Sequence, residues 1–192
     1  MSVVTIADAW PEPGQPFTVS DLDRMPDDGH RYELLDGTLI VSPAPGSANQ
    51  EVANALCDLL ELARPEELIV FPSVSVRIGT RSALEPDAVV ARPSDVSGAR
   101  LVVPPLLVAE VLSPDSVVWD LNIKKTAYEL FGVQSYWVID PDPERPSLRA
   151  FRLVDGKYHH AGHATAEEAF RAKEPFPVEI VPSRLVARLF KP

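Results

Sequence analysis

Between Leu101 and Asp115 the chain reads LVVPPLLVAEVLSPD, an apolar run interrupted by one carboxylate, Glu110, with no cation beside it. Within that run LLVAEVL is apolar at alternate and adjacent positions alike, so a strand formed here has no solvent face and belongs at the centre of a sheet covered on both sides. The rest of the chain must then supply neighbouring strands and two covering layers. An unpaired carboxylate in that setting costs several kcal/mol. Glu110 either reaches solvent at the carboxyl end of its strand or pairs with an Arg or Lys from elsewhere.

Periodicity and turn chemistry locate the other elements. Residues 1–16 are aperiodic and contain several prolines, which reads as an extended arm ahead of a single domain over residues 17–192. Thr18 to Arg24 suits a short helix. RYELLDGTLIVSP places two β-prone runs, 31–35 and 38–42, around Asp36-Gly37, a pair suited to a two-residue hairpin turn. Val52, Leu56, Leu59 and Ala63 recur at three- and four-residue spacing, predicting a helix from Ser47 to near Pro65 with Ser47 and Gln50 as a capping box. LIVF, SVSVRI, PDAVVA and LLVAEVL follow as short strands of one sheet. Asp120 is expected to cap a second helix that runs to about Phe131 and stops at Gly132. SYWVID is a further strand, SLRAFRLVDGKYHH a hairpin turning on Asp155-Gly156, and SRLVARLF a short terminal helix. This order gives an α/β domain, a single mixed central sheet flanked by helices, with an amino-terminal and a carboxyl-terminal β-hairpin.

Charge and composition narrow the function. With 18 Lys plus Arg against 28 Asp plus Glu, the formal net charge is −10, which opposes any broad, sequence-independent attraction to nucleic acid. No stretch approaches the roughly 20 apolar residues of a membrane helix. The amino terminus MSVVTIADAW lacks the basic start and apolar core of a signal peptide, so a cytoplasmic protein with no membrane partner is expected. Cys57 stands alone in the chain, which excludes an internal disulfide and a cysteine zinc site. There is no P-loop and no dinucleotide fingerprint. HHAGH, ending at His163, reads as a surface strand and turn in preference to a metal site.

EPDAVVARP puts Asp87 after Pro86 and ahead of a second apolar strand, so two carboxylates enter adjacent strands at the edge of the core. Within a few ångström of each other, their repulsion is relieved by a shared proton or a divalent cation. Carboxylate oxygens are hard ligands suited to magnesium or manganese. Lys124 lies four residues after Asp120 and four before Tyr128, on a helix returning across the sheet. Alone, an Asp120 to Lys124 pair reads as an exposed contact worth roughly 0.3–0.5 kcal/mol. Together, Pro86-Asp87, the 23-residue step to Glu110 and a following lysine resemble the PD-(D/E)XK nuclease superfamily, with Leu112 where the usual motif has lysine. In the same order, DGHRYELLDGTLIVSPAP, EPDAVV, LLVAEVLSPDS, the Asp120, Lys124 and Tyr128 spacing, and GVQSYWVIDP are similar to the Uma-type family of restriction-endonuclease-like proteins. There the lysine has migrated to the following helix.

The resemblance implies a metal-dependent endonuclease that hydrolyses DNA phosphodiester bonds, leaves 5′ phosphates and uses Mg2+ or Mn2+. On this chain it makes Asp87 and Glu110 the metal-binding carboxylates and the Val111 backbone carbonyl a further ligand. Lys124 becomes the catalytic lysine. Glu33, in RYELLDG, becomes an additional active-site carboxylate, and otherwise reads as a solvent-facing hairpin residue. Asp120 and Tyr128 support or pack behind these groups. Asn49 stands where relatives often have histidine, which leaves Gln50 as the polar contact. Adjacent helical residues point about 100° apart, so only one of Lys124 and Lys125 can face the site. An acidic chain that binds a polyanion must gather its cations on one face, and Arg77, Arg81, Arg92 and Arg100 flank Asp87 for that purpose. Cutting both strands of a duplex with one site per chain points to a homodimer. Two other readings share the fold: an acidic regulatory or protein-binding module without catalysis, and a metal-dependent hydrolase of another substrate.

Overall fold

The computed structural model describes residue 11, residues 14–114 and residues 116–190, so most of the arm expected over residues 1–16 lies outside the described residues. Helix α1 (Val19–Leu22) precedes the hairpin β1 (His30–Leu35) and β2 (Thr38–Pro43), and α2 spans Ser47–Ala63. Strands β3 (Ile69–Pro72), β4 (Ser75–Arg77), β5 (Ala83–Leu84), β6 (Ala88–Ala91), β7 (Val96–Ser97), β8 (Arg100–Leu101) and β9 (Leu107–Val111) follow. A π-helical turn over Trp119–Lys124 runs into α3 (Lys125–Phe131). Strand β10 (Ser135–Asp140), the hairpin β11 (Ser147–Val154) and β12 (Lys157–Thr165), the ribbon β13 (Phe170–Ala172) and β14 (Val178–Ile180), and α4 (Pro182–Val186) complete the chain. Among the described residues no helix is long and apolar enough to cross a membrane.

The α/β class holds, while the strands expected in one sheet divide between two. One sheet has the order β2-β1-β5-β4-β8-β7 and the other β12-β11-β10-β9-β6-β3. The division has a local cause. β3 pairs with β6 from Ile69 opposite Ala91 to Pro72 opposite Ala88, and β4 pairs with β5 at Val76 opposite Leu84 and Arg77 opposite Ala83. Both pairings keep one register, so they are two halves of a single long hairpin. It breaks at Ser73, which has a φ of 52°, and at Asp87 facing it, where one bond from Ser73 N–H to the Asp87 carbonyl spans 3.4 Å. Pro86 has no N–H to give a ladder at that point. Each strand therefore leaves one sheet and enters the other at the break.

β9 is central, as its composition requires: it runs parallel to β10 and antiparallel to β6, and all five of its residues are buried. Its two-residue period splits the core. Leu107, Ala109 and Val111 pack with Val52, Leu56 and Leu60 of α2, each of these fully buried and contributing about 1.5–3 kcal/mol of burial. Val108 and Leu112 pack with Tyr128 and Tyr136 on the opposite face, and Glu110, in phase with them, points toward α3.

Two helix starts differ from expectation. Gly46 is the N-cap of α2 and its carbonyl takes the Gln50 N–H at 3.0 Å, so Ser47 is already helical and forms no capping box. Asp120 does not cap the second helix, since its N–H donates to the Ser116 carbonyl at 2.9 Å and its side chain is buried inside the π-helical turn. Gly132 does end α3, with a φ of 97°. The β13–β14 ribbon was not foreseen, because strands of three residues carry too little pattern to read.

Candidate active site

The break in the long hairpin opens a cleft of about 520 Å³ between the two sheets. β1 lines one side, the end of β9 forms the floor, and the π-helical turn closes the other side. Arg31 and Glu33 are two residues apart on β1, so the strand's period sends both side chains to one face. The Glu33 carboxylate accepts the Glu85 N–H at 2.8 Å, just ahead of the break. Strand β6 begins only at Ala88, so Val111 has no backbone partner on that edge. One Asp87 oxygen takes the partner's place and accepts the Val111 N–H at 2.7 Å. In an extended strand the N–H and C=O of one residue point to the same side, so the Val111 carbonyl also faces this gap. Asn49 Nδ2 donates to the Leu112 carbonyl at 2.8 Å and reaches Val111 O at 3.4 Å.

Lys124 stands over the buried end of β9. Its Nζ lies 3.1 Å from Glu33, 3.4 Å from Glu110 and 3.5 Å from Asp120. Glu110 is 2% exposed, and its Oε1 accepts a hydrogen bond from the Tyr128 hydroxyl at 3.2 Å. The Tyr136 hydroxyl donates to the Asp120 carbonyl at 2.8 Å. Asp120 Oδ1 is buried without a hydrogen-bond partner among the described residues. Lys125 turns the other way, its ammonium 3.8 Å above the Phe151 ring.

Of the sequence-derived residues, Glu33, Asp87, Glu110, Val111 and Lys124 all line this one cleft. Gln50 is exposed, and Asn49 makes the polar contact expected of it. The four arginines do not gather here. Arg81 pairs with Asp36 at 2.7 Å, Arg92 with Asp95 at 3.9 Å and Arg100 with Asp23, while Arg77 donates to Gly79 O at 2.7 Å. Each is taken by a local acceptor close to it in the fold. The cleft's guanidinium is instead Arg31, which sequence reasoning passed over. Its signal was available, since any strand that turns Glu33 inward turns Arg31 inward too.

Five carboxylates (Glu33, Glu85, Asp87, Glu110 and Asp120) meet two cations, Arg31 and Lys124, a formal excess of three carboxylates that burial partly offsets by favouring their protonated forms. Burial pushes the Glu110 carboxyl well above the usual carboxylate range; Lys124 pulls it back, and Asp120, Asp87 and Glu33 add to the rise. Asp120 is raised by burial in the same way, again against the pull of Lys124. Burial disfavours the Lys124 ammonium, but Glu110, Glu33 and Asp120 together outweigh it and raise its pKa. Burial and Glu110 keep the Tyr128 phenol protonated.

This donor set fits a hard divalent cation: carboxylate oxygens on Asp87 and Glu110, the Val111 carbonyl and a formal surplus of carboxylates over cations. No three His, Cys, Asp or Glu side chains among the described residues close around one point, so a cation held here draws on a backbone oxygen and on water or substrate as well. His159, His160 and His163 are exposed on β12, as a surface strand requires. Burial pushes the Cys57 thiol up to about 12, which makes it inert packing.

A family model described as Uma2, "Putative restriction endonuclease", matches residues 19–186 of the chain. Among solved structures, one described as a putative nuclease from Anabaena variabilis matches with a TM-score of 0.70 and 18% identity, over 91% of this chain and 100% of that one. At that identity the likeness is one of fold. Among curated proteins no sequence matches.

Proposed function

Because the chain belongs to the Uma2 family, we propose that it is a nuclease, and more narrowly a metal-dependent endonuclease that hydrolyses DNA phosphodiester bonds. The observation that carries this reading is Lys124, an ammonium buried among three carboxylates in an open cleft that Asp87 also lines. A structural pair needs one partner, whereas Lys124 has three and is held at a single point.

Hydrolysis of a phosphodiester requires a positioned water, neutralisation of charge growing on the phosphate and a stabilised leaving alkoxide. Mg2+ or Mn2+ held by Asp87, Glu110 and the Val111 carbonyl would supply Lewis acidity and lower the pKa of bound water. Lys124 orients the attacking water and meets the developing negative charge. Glu33 and Asp120 fix the ammonium from two sides, and Tyr128 fixes Glu110 by its hydroxyl. We take the working unit to be a homodimer, so that two such sites reach both strands of a duplex.

A second reading, an acidic protein-binding module, draws on the net charge of −10 and on Arg81, Arg92 and Arg100 being tied to Asp36, Asp95 and Asp23 instead of turned to the cleft. Incubation of plasmid and single-stranded DNA with Mg2+ or Mn2+ separates the two. Nicking that both chelator and Lys124→Met abolish is expected; intact DNA at every metal concentration would transfer the assignment to the binding module.

A further inference from the structure

We infer that Arg31 is the phosphate-binding residue of the cleft, resting on Asp87 until a divalent cation takes that carboxylate and then offering the freed N–H groups to the phosphodiester. The inference rests on the nuclease reading above and adds a residue and a ligand to it.

The geometry carries it. Both terminal nitrogens of Arg31 approach the same atom, Asp87 Oδ1, and both stay 3.4 Å away. A charged fork on a carboxylate closes to about 2.7–2.9 Å and uses both oxygens. Here the second oxygen is committed at 2.7 Å to the Val111 N–H. Arg31 is anchored elsewhere, by the Glu85 carbonyl at 3.2 Å and the Ser73 hydroxyl at 3.3 Å, on the two strands that part at the break. The guanidinium therefore keeps its place when Asp87 Oδ1 is taken by a cation, and its inward N–H groups become free. Among the described residues it is the one guanidinium lining the cleft, with 14% of its side chain exposed. A planar fork with five N–H donors matches two phosphate oxygens at once.

Two consequences of opposite sign follow. A cation at Asp87 competes with Arg31, so removing the guanidinium should tighten metal binding. The phosphate loses its donor, so the same change should weaken DNA binding. An arginine that merely closes the break predicts neither.

The test uses the full chain. Mn2+ binding is measured by calorimetry, and binding of a short DNA duplex by fluorescence anisotropy in Ca2+, for wild type, Arg31→Gln and Arg31→Lys. Arg31→Gln is expected to bind Mn2+ several-fold tighter and the duplex at least about tenfold more weakly, since the fork's hydrogen bonds to a charged group are lost. Unchanged or weaker Mn2+ binding overturns the resting position on Asp87. Unchanged duplex binding overturns the phosphate role while leaving the nuclease reading intact, whereas a wild-type chain that binds no duplex at low salt overturns the nuclease reading itself. Should Arg31→Gln not fold, Arg31→Lys decides: a point charge that cannot span the Glu85 carbonyl and Asp87 together should bind Mn2+ more tightly and the duplex more weakly than wild type, and a value equal to wild type on both overturns the inference.

Discussion

The two β-hairpins are built alike and used differently. Each turns on Asp-Gly with both residues left-handed, Asp36 and Gly37 at φ 47° and 80°, Asp155 and Gly156 at 50° and 75°. In the first, the inward polar residues are Arg31 and Glu33, and they line the cleft. In the second, Phe151 and Tyr158 pack inward while His159, His160 and His163 stay in solvent. Their tips differ as well: the first is docked, Gly37 N–H donating to Arg81 O at 2.8 Å and Asp36 N–H to the Ser82 hydroxyl at 2.9 Å, while nothing crowds Gly156. Turn chemistry thus dictates a hairpin, but the surface it docks against decides whether its polar face becomes a site or a solvated exterior.

The sharpest contrast lies between two lysines that each answer a glutamate. Lys124 answers Glu33 of the first hairpin from a fully enclosed position, whereas Lys157 of the second pairs with Glu129 at 2.9 Å with 70% of its side chain exposed. Lys124→Met should cut hydrolysis by about 100-fold or more and cost about 3–5 kcal/mol, because it strands buried carboxylates. Lys157→Met should leave nicking unchanged and cost no more than about 1 kcal/mol. Plasmid nicking and urea unfolding read both, and equal costs for the two lysines would erase the distinction.

The floor of the cleft supplies a pH signature of its own. The folded chain holds the Glu110 proton more tightly than the unfolded chain does, since burial raises that carboxyl above its ordinary 4.5. The associated stability is full below that ordinary value and is lost as the pH rises through the raised one. Glu110→Gln should therefore gain Tm relative to wild type as the pH is taken from about 4 to 8. A wild-type minus variant difference that stays constant with pH would contradict the burial of this charge.

The turns themselves give a smaller effect. Ala at position 37 or 156 meets the left-handed penalty of about 1–2 kcal/mol. Only at Gly37 would the added Cβ also strike a neighbour, lying 2.6 Å from the Pro16 Cβ. Gly37→Ala is expected to be the more destabilising by about 1 kcal/mol, measured by chemical denaturation. The smallest effect is expected at the exposed imidazoles: a His159→Ala, His163→Ala double variant should shift stability by less than about 0.5 kcal/mol and leave Mn2+ binding unaltered in calorimetry.

What the residues declared in advance were the features with local causes. The Asp-Gly turns, the apolar stripe of α2, the buried end of β9 and the stop at Gly132 each follow from a few neighbouring residues. Lys124 could be chosen over Lys125 through its spacing from Asp120 and Tyr128, and the two do face opposite ways. Leu112, where a strand lysine would otherwise stand, is a core residue packed with Tyr128, so the ammonium has to arrive from the helix. Long-range pairing was less legible. Nothing near Ser73 announces that it faces Asp87, so the split into two sheets could not be read. Nearness in sequence to Asp87 points to Arg77, Arg81, Arg92 and Arg100, although a strand's neighbours are set by docking. Arg31 lies 56 residues from Asp87 and yet touches it.

The π-helical turn over Trp119–Lys124 has a consequence for insertions and deletions. Such a turn carries one residue more than an α-helical path between the same ends. Deleting a residue there would let the helix close as α and rotate everything upstream by about 100°, taking Trp119 and Asp120 out of the cleft while Lys124 and Tyr128 kept their places. Replacing a solvent-facing residue such as Asn122 would do nothing of the kind. In this segment the length of the chain, more than its spelling, is what selection on the cleft would have to preserve.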